Sequence, residues 1–394
     1  MSADRTPVIV SAKRTPIGRF FGSFSRTPAP QIGAFAVDAV LKDVPALRDH
    51  VEEVIMGCVL QAGLGQNPAR QAALNAGLPS TMPCFTVNKV CGSGLKSVML
   101  AAQAIKAGDH SVIIAGGLEN MTLAPHYANV RQGVKFGPAE LTDHMMHDGL
   151  TCAFECWGMG NAAEWIANEF KVSREEQDRF SAQSHQRAAE ATKNGWFKNE
   201  MVTLEAEAIK QKQGIDADEG FRADSSPDAL AKLRPAFIKD GSVTAGNASQ
   251  ISDGAAAIAV CSAAKAEEMG AKPLARITGY FTSGVDPKEI FTAPVMAISE
   301  LLRKTGVHRD EVDLYEINEA FAAQVLQNIA KLEIPEDKLN VTGGGIAIGH
   351  PIGASGARVL TTLVHQLERL GKNRGVAALC LGGGNAVAMM VERG

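Results

Sequence analysis

The clearest periodic pattern of apolar residues lies in the first third of the chain. Within the stretch LKSVMLAAQAIKAGD, five apolar residues recur with helical spacing and form one stripe: Leu95, Val98, Met99, Ala102 and Ile105. The apolar run FTV before this stretch predicts a buried strand, and Gly108 predicts the end of the helix. The run SVIIAGG then predicts a second buried strand, so the pattern here is strand, helix and strand.

The same order of elements returns in the last third of the chain. The residues Ala354, Ser355 and Gly356 precede a second helical stripe, which consists of Leu360, Leu363, Val364, Leu367 and Leu370. Gly371 and the apolar run VAALCLGGG follow it. Because the predicted strands are apolar on both faces, we expect sheets that helices cover on both sides. The pattern predicts an α/β protein with an internal duplication, two sheets and one site shared between the halves.

The middle of the chain, from about residue 121 to about residue 250, has a different character. It is richer in charged residues, and Ser173 with Glu176 has the spacing of a capping box at the start of a helix. The stretch IKQKQGIDADEGFRADSSPDALAKLRPAF has the glycine and proline content of an irregular loop. We expect this region to be an insertion that shapes a binding site on a rigid scaffold.

Composition restricts the classes of function. The 394 residues, of which 45% are hydrophobic and 21% charged, suffice for two or three domains with large cores. A formal net charge of -4 argues against a nucleic-acid partner. The start MSADRTPVIV has no apolar core typical of a secretion signal, and no apolar run reaches membrane length. We therefore expect no membrane partner.

The cysteines indicate a reducing compartment rather than a disulfide framework. Seven of them are spread through the chain, at positions 58, 84, 91, 152, 156, 261 and 380. We therefore expect a cytoplasmic protein. Cys152 and Cys156 have helical spacing, but no further ligand set accompanies them, and the sequence predicts no metal site.

Cys91, in the stretch NKVCGSG, is the first candidate for chemistry. It stands between the predicted strand FTV and the predicted helix, where the first amide groups of the helix lack partners. The partial positive charge of these amides favours thiolate over thiol, so we expect a nucleophile at this turn. A single cysteine near a helix start is nevertheless more often a small residue of the core than a nucleophile.

Three further candidates also lie where elements end. His350 follows the glycine-rich stretch GGGIAIG, Cys380 ends a predicted strand before three glycines, and Asn318 lies in EINEAFA. Convergence of these residues with Cys91 would combine two thiols and a base, which suits acyl-thioester chemistry. Individually, the histidine can bind backbone and the asparagine can cap a helix.

The glycine-rich stretches do not predict a nucleotide site. GGGIAIG and LGGGNAV lack the third glycine of the dinucleotide fingerprint, and GSGLKS lacks the spacing of a P-loop. A dehydrogenase is therefore disfavoured.

The motifs in this order resemble the thiolase family, most closely its biosynthetic acetyl-CoA acetyltransferases. The resemblance rests on NKVCGSGLKSVMLAA, GGLENM, DGLT, VTAGNASQISDGAAA, NEAFA, GGGIAIGHPIGASGARVL and CLGGGNAVAM, which span nearly the whole chain. It implies a five-layer α-β-α-β-α fold of two duplicated halves plus a loop domain. The implied boundaries are 1–120 completed by 251–272, 121–250 for the loop domain, and 273–394.

The resemblance also implies an activity and its partners. The family acts on coenzyme A thioesters and is usually assembled as a dimer of dimers, so we expect a homotetramer. Acetyl-CoA, acetoacetyl-CoA and CoA would be substrates and products, and no other cofactor is implied.

The family's roles can be transferred to matching positions of this chain. Cys91 would be the nucleophile, His350 its base and Cys380 the second reactive thiol. One oxyanion pocket would come from His350 and a water held by Asn318, and the other from the amides of Cys91 and Gly382. The implied coenzyme A contacts are Leu150, Met159, Arg222, Ser249, Ala320 and Phe321.

The sequence departs from the family pattern beside these contacts. It has WGMG where the biosynthetic enzymes usually have HMG, so Gly158 replaces a histidine and Trp157 precedes it. Gln250 replaces the usual glycine after Ser249. These changes leave the chain length of the acyl group open. A degradative 3-ketoacyl-CoA thiolase of broader range is the alternative, and a non-catalytic carrier of coenzyme A or lipid is the alternative of another class.

Overall fold

The computed structural model describes residues 5–394, so the first four residues of the stretch MSADRTPVIV lie outside it. The strands are β1 Pro7–Arg14, β2 Gly18–Arg19, β3 Glu53–Gly57, β4 Cys84–Val87, β5 Val112–Asn120, β6 His126–Tyr127, β7 Thr142–Asp143, β8 Ser252–Ser262, β9 Ala275–Gly284, β10 Leu314–Ile317, β11 Arg374–Leu381 and β12 Asn385–Glu392.

Eleven α-helices are assigned within residues 5–394. They are α1 Ala29–Asp43, α2 Leu47–His50, α3 Pro68–Asn75, α4 Ser93–Ala107, α5 Met159–Glu169, α6 Arg174–Lys193, α7 Pro227–Leu230, α8 Ala263–Glu268, α9 Ala293–Thr305, α10 Ala322–Leu332 and α11 Ser355–Arg369. Short 3₁₀ segments cover Pro287–Thr292, Arg309–Glu311 and Glu336–Lys338, and a π-helical turn covers Met145–Gly149. None of the helices in this part of the chain is both long and apolar enough to cross a membrane.

The predicted duplication is visible in the strand order. In the first half, β3 pairs with β5 in parallel, and β8 and β1 follow antiparallel. In the second half, β10 pairs with β11 in parallel, and β12 and β9 follow antiparallel. In each half the connection between the parallel strands ends with a helix that leads into the second strand, α4 before β5 and α11 before β11. The two halves therefore repeat one topology.

The expected two sheets are hydrogen-bonded into a single path. The first half adjoins the second through a short antiparallel contact, in which Val8 is opposite Arg276 and Ile9 is opposite Ala275. The separation into two sheets was therefore wrong in this respect. The two halves are connected because β1 is the last strand on one side of the first half, β9 is the last strand on the facing side of the second half, and the two strands lie side by side.

The packing nevertheless has five layers. One buried cluster joins α1 and α3 to the outer face of the first half, and another joins α9 and α10 to the outer face of the second. A third cluster lies between the halves and contains both predicted stripes, from Leu95 on α4 and from Leu360 on α11. Burial of such apolar stripes stabilises a fold by roughly 25 cal/mol for each Å² removed from water. The order of layers is α-β-α-β-α, as expected.

Two predictions about burial were wrong. The strand β4 lies at the edge of the sheet and is only partly buried, with Phe85 38% exposed. Leu370, the last residue of the second stripe, follows the end of α11 and is 39% exposed. In both cases the apolar side chain lies where no other element of residues 5–394 covers it.

The middle region lies between β5 and β8 in the sequence and contributes no strand to the main sheet. The predicted capping box is present, because Ser173 Oγ accepts from the Glu176 amide and the Glu176 carboxylate accepts from the Ser173 amide. After this region, β8 returns to the first half and pairs with β1 and β5. The boundaries of the loop domain stay a prediction.

Candidate active site

Glycines bring the helix starts of the two halves together. A β-carbon at Gly94 would lie 2.7 Å from the backbone nitrogen of Ala357, and one at Gly356 would lie 2.3 Å from that of Leu95. Real β-carbons do not approach backbone so closely, and only glycine permits this contact. The start of α4 therefore touches the start of α11. Cys91 precedes the first helix and His350 precedes the second, so the contact brings their turns together.

The turn that carries Cys91 is strained. Val90 has φ of +47°, in the left-handed region that β-branched residues rarely occupy. The turn also contacts the end of β11, since a β-carbon at Gly92 would lie 2.3 Å from the Leu381 side chain. A β-carbon at Gly382 would meet Val90 at 3.1 Å. The Cys91 turn is thus pressed against the strand end that carries Cys380, and such strain is typical of functional sites.

Cys91 is protonated in the resting site. Burial raises the pKa of its thiol to about 12, although hydrogen bonds from the Gly382 amide and its own amide act in the opposite direction. Desolvation therefore outweighs the effect of the amides on the resting thiol, and the role of Cys91 as a nucleophile favoured by helix amides stays a prediction. The two amides that point at the sulfur are those predicted to form an oxyanion pocket.

His350 is a neutral imidazole. Its Nδ1 lies 2.6 Å from Ser355 Oγ, whose single hydrogen is donated to the Pro351 carbonyl oxygen at 2.9 Å. The hydroxyl must then accept from Nδ1, and this leaves Nε2 with its lone pair. Burial, with the positive charge of Arg358 as a smaller cause, lowers the pKa of His350 to about 3.

Asn318 and Cys380 complete the group. Asn318 Nδ2 lies 3.4 Å from His350 Nε2, and both side chains are buried. The Asn318 Oδ1 atom has no hydrogen-bond partner among residues 5–394. Burial raises the pKa of the Cys380 thiol well above its usual value, and a charge on nearby Cys91 would raise it further. The structure thus brings together Cys91, His350, Cys380, Asn318 and Gly382.

Most of the predicted coenzyme A contacts lie around this group. Leu150 packs with Cys91, whereas Met159 and Trp157 pack in the apolar cluster that holds Ala320, Phe321 and Cys380. The Ser249 amide donates to the Ala320 carbonyl oxygen at 2.9 Å. These contacts form an apolar wall that leads to the two thiols.

Arg222 belongs to a different part of the site. It lies on the covering loop, where its amide donates to His185 Nδ1 at 3.1 Å. Burial lowers the pKa of His185 to about 4, which keeps the ring neutral and Nδ1 available as an acceptor. Arg222 itself is exposed.

The structure adds residues to which the sequence assigned no role. The buried carboxylate of Glu119 accepts hydrogen bonds from the amides of Val59, Leu60 and Gly353 at 2.9 to 3.1 Å. It ties the first half to the turn after His350. Glu119 and Ser355 both lie inside motifs that matched the family, but only their hydrogen bonds reveal what they do: those of Glu119 reach distant segments, and those of Ser355 stay within the turn of His350.

The chain matches two family models that divide it nearly end to end. The model for the thiolase N-terminal domain matches residues 7–264, and that for the thiolase C-terminal domain matches residues 271–393. The chain belongs to the thiolase family. Within residues 5–394 of this thiolase, no three His, Cys, Asp or Glu side chains form a group that could hold a metal ion.

Similar proteins cover the thiolase almost completely. It is 52% identical over 390 residues to the acetyl-CoA acetyltransferase of Chromobacterium violaceum, covering 98% of this chain and 99% of that protein. It is 48% identical over 391 residues to the probable acetyl-CoA acyltransferase of Staphylococcus aureus strain COL, covering 98% of each. The crystal structure of the Bacillus anthracis acetyl-CoA acetyltransferase matches with a TM-score of 0.94 at 39% identity, again covering 98% of each chain.

Proposed function

We propose that this thiolase is an acetyl-CoA C-acetyltransferase, which converts two acetyl-CoA into acetoacetyl-CoA and CoA in a reversible reaction. The observation that carries the proposal is the meeting of two thiols with a neutral imidazole and two convergent amides at the crossing of α4 and α11. The name of the relative at 52% identity supports the same activity. A carrier would have no use for this combination.

The first half-reaction acylates Cys91. His350 Nε2 takes the thiol proton, and the sulfur attacks the thioester carbonyl carbon. The amides of Cys91 and Gly382 already point at this sulfur, so they can stabilise the negative charge that develops on the carbonyl oxygen. The bond to coenzyme A breaks, and the departing CoA thiolate takes a proton from Cys380. The products are acetyl-Cys91, imidazolium His350, the Cys380 thiolate and CoA.

The second half-reaction forms the carbon-carbon bond. The Cys380 thiolate removes a proton from the methyl group of a second acetyl-CoA, and the enolate oxygen faces His350 and a water on Asn318. The carbanion attacks the acetyl carbonyl of Cys91, and the Cys91 thiolate leaves. It recovers its proton from His350, so all three residues return to their starting states.

A second candidate function differs from the first in the length of the acyl chain. The ring of Trp157 lies in the wall near Cys380, and Gly158 next to it has room for a β-carbon, which would meet Asn161 Oδ1 at 3.4 Å. The relative at 48% identity is named an acyltransferase rather than an acetyltransferase. A 3-ketoacyl-CoA thiolase of broader range is therefore the second candidate.

We also propose the homotetramer that the family resemblance implies. The edge strand β4 offers unpaired backbone and exposed Phe85 to a second copy. A separate exposed segment, residues 128–141, carries the apolar side chains of Val134, Phe136 and Leu141. Light scattering measures the molar mass in solution. We expect a tetramer for the unchanged protein and a smaller species for Phe136→Ser. A monomer at micromolar concentration would contradict the proposal.

Intact-protein mass spectrometry after exposure to acetyl-CoA tests the acyl-enzyme. We expect one acetyl group on the unchanged protein and none on Cys91→Ala. Cys156→Ala is the matched control, because Cys156 is an exposed thiol on the neighbouring loop and should not affect labelling. Acetylation of Cys91→Ala at an unchanged rate would place the acyl group elsewhere.

A further inference from the structure

Gln250 is the departure from the family pattern that the proposed reaction does not use. Its position next to Ser249 suggested an effect on the acyl pocket. The structure places its amide group elsewhere: Nε2 lies 2.8 Å from the carbonyl oxygen of Gly220, 3.0 Å from that of Ile346 and 3.2 Å from that of Ala347. The side chain is held by backbone and is not directed at a substrate.

The three carbonyls belong to two segments that meet at Gln250. Gly220 lies on the covering loop, two residues before Arg222, whereas Ile346 and Ala347 lie in the turn that leads to His350. The segments are in close contact, because a β-carbon at Gly220 would lie 2.6 Å from the Ala347 oxygen. The backbone of Gln250 holds the same turn, since its carbonyl accepts from the His350 amide at 3.1 Å.

The turn before His350 depends on such contacts. It contains four glycines, at positions 343, 344, 345 and 349, and two of them have φ of +79° and +118°. Glycine gives the backbone more freedom than any other residue, so this turn gains little rigidity from its own side chains. Ile346 and Ala347 are buried, and buried carbonyls that lose their donors are costly. The two hydrogens of the Gln250 amide are shared among these two carbonyls and that of Gly220.

We propose that Gln250 is a positioning residue for His350, because its amide fastens the glycine-rich turn to the covering loop. The inference rests on the proposed role of His350 as the base. It predicts that loss of the amide leaves substrate binding largely intact, since Gln250 does not face the apolar wall. The imidazole would be less well aligned with the Cys91 thiol, and misalignment of reacting groups by about 1 Å can cost on the order of 100-fold in rate.

Three substitutions of Gln250 separate the amide from the rest of the side chain. Gln250→Glu keeps the shape but removes the donor, Gln250→Met keeps the length without polarity, and Gln250→Gly introduces the residue usual in the family. For all three we expect kcat and the single-turnover rate of Cys91 acetylation to fall by about 10-fold to 100-fold, with KM within about threefold. Each rate is divided by the fraction of folded protein, which is measured by circular dichroism.

The matched control is Gln71→Glu. Gln71 Nε2 also donates to two backbone carbonyls, those of Leu64 and Gln66, but it lies on α3 away from the site. We expect this variant to keep its kcat. A purely structural role of Gln250 would lower the stability of its variants without changing kcat per folded molecule.

Three outcomes would contradict the inference or the proposed base, and they can be told apart. Unchanged kcat in the folded Gln250 variants, together with loss of acetylation in His350→Ala, would overturn the positioning role and leave the proposed base in place. Normal acetylation in His350→Ala would overturn the base itself. A rise in KM without loss of kcat would assign Gln250 to substrate binding and contradict the inference.

Discussion

The hydroxyl of Ser355 determines which nitrogen of His350 carries the proton. Ser355 Oγ gives its hydrogen to the Pro351 carbonyl oxygen and lies 2.6 Å from His350 Nδ1, so it accepts from that nitrogen. Nε2 then keeps the lone pair that the proposed transfer of the Cys91 proton requires, with Asn318 Nδ2 3.4 Å away. The tautomer of His350 is therefore set without substrate, because both partners of the serine, His350 and Pro351, belong to the same turn.

Ser355→Ala should lower kcat by about 10-fold to 100-fold with little change in KM, because the imidazole loses the acceptor that fixes its tautomer. Steady-state kinetics measure the effect. Ser181→Ala is the control, since Ser181 is buried and donates to the backbone four residues earlier, as Ser355 does, but lies on α6. Equal losses of kcat in both variants would point to a general effect on folding.

The ionisation of Cys91 gives a prediction on pH. The pKa of the thiol is raised to about 12 and that of His350 is lowered to about 3, so the pair is neutral between these values. The thiolate fraction rises only as pH approaches the raised pKa. The difference in ultraviolet thiolate absorbance between the unchanged protein and Cys91→Ala should therefore show no step from about pH 5 to about pH 9. A step near neutrality would mean a resting ion pair.

Cys380→Ser should leave acetylation of Cys91 within about tenfold of its normal rate but nearly stop formation of acetoacetyl-CoA. A hydroxyl is a far weaker acid and base than a thiol, and the lost proton transfer is typically worth about 10² to 10⁴ in rate. Exchange of deuterium from solvent into the methyl group of acetyl-CoA follows the step directly. Exchange at the normal rate in this variant would exclude Cys380 as the base for the α-carbon.

Gly158→His tests the chain-length question. Gly158 has φ of -72°, which any residue can adopt, and a β-carbon there would come no closer than 3.4 Å to Asn161 Oδ1. An imidazole beside Trp157 and Met159 should narrow the site, so the ratio of kcat/KM for four-carbon over six-carbon 3-ketoacyl-CoA should rise by about tenfold or more for each excluded methylene. Gly158→Ala, which adds only a methyl group, is the control. The same ratio in all three proteins would assign chain-length choice to Trp157 or the covering loop.

The sequence predicted those parts of the fold that depend on local order. The stripes from Leu95 to Ile105 and from Leu360 to Leu367 are buried, since helical periodicity determines which face of a helix is apolar. Gly108 ends its helix in the left-handed conformation, as expected from glycine. Exposure of Phe85 was not predictable, because it depends on which strand lies at the edge of the sheet.

The site was predictable only in part. Family motifs placed Cys91, His350 and Cys380, and the structure brings them together. The protonation state of Cys91 could not be predicted from its position before a helix. It depends on how completely three segments that are distant in the sequence exclude water from the sulfur. Likewise, Gln250 contacts carbonyls about 30 and about 100 residues away, and no local pattern encodes such a contact.

The repeated topology gives corresponding positions unlike chemistry. Gly57 is paired with Gly117 in the first half, as Ile317 is with Ala378 in the second. In that register Cys58 corresponds to Asn318 and Glu119 to Cys380. An assembly of two identical half-chains would have to carry the same residue in both places. Once both copies lie in one polypeptide, each can mutate independently. The turns before α4 and α11 can then carry different residues although the helices cross symmetrically, so that one turn has the nucleophile and the other has the base.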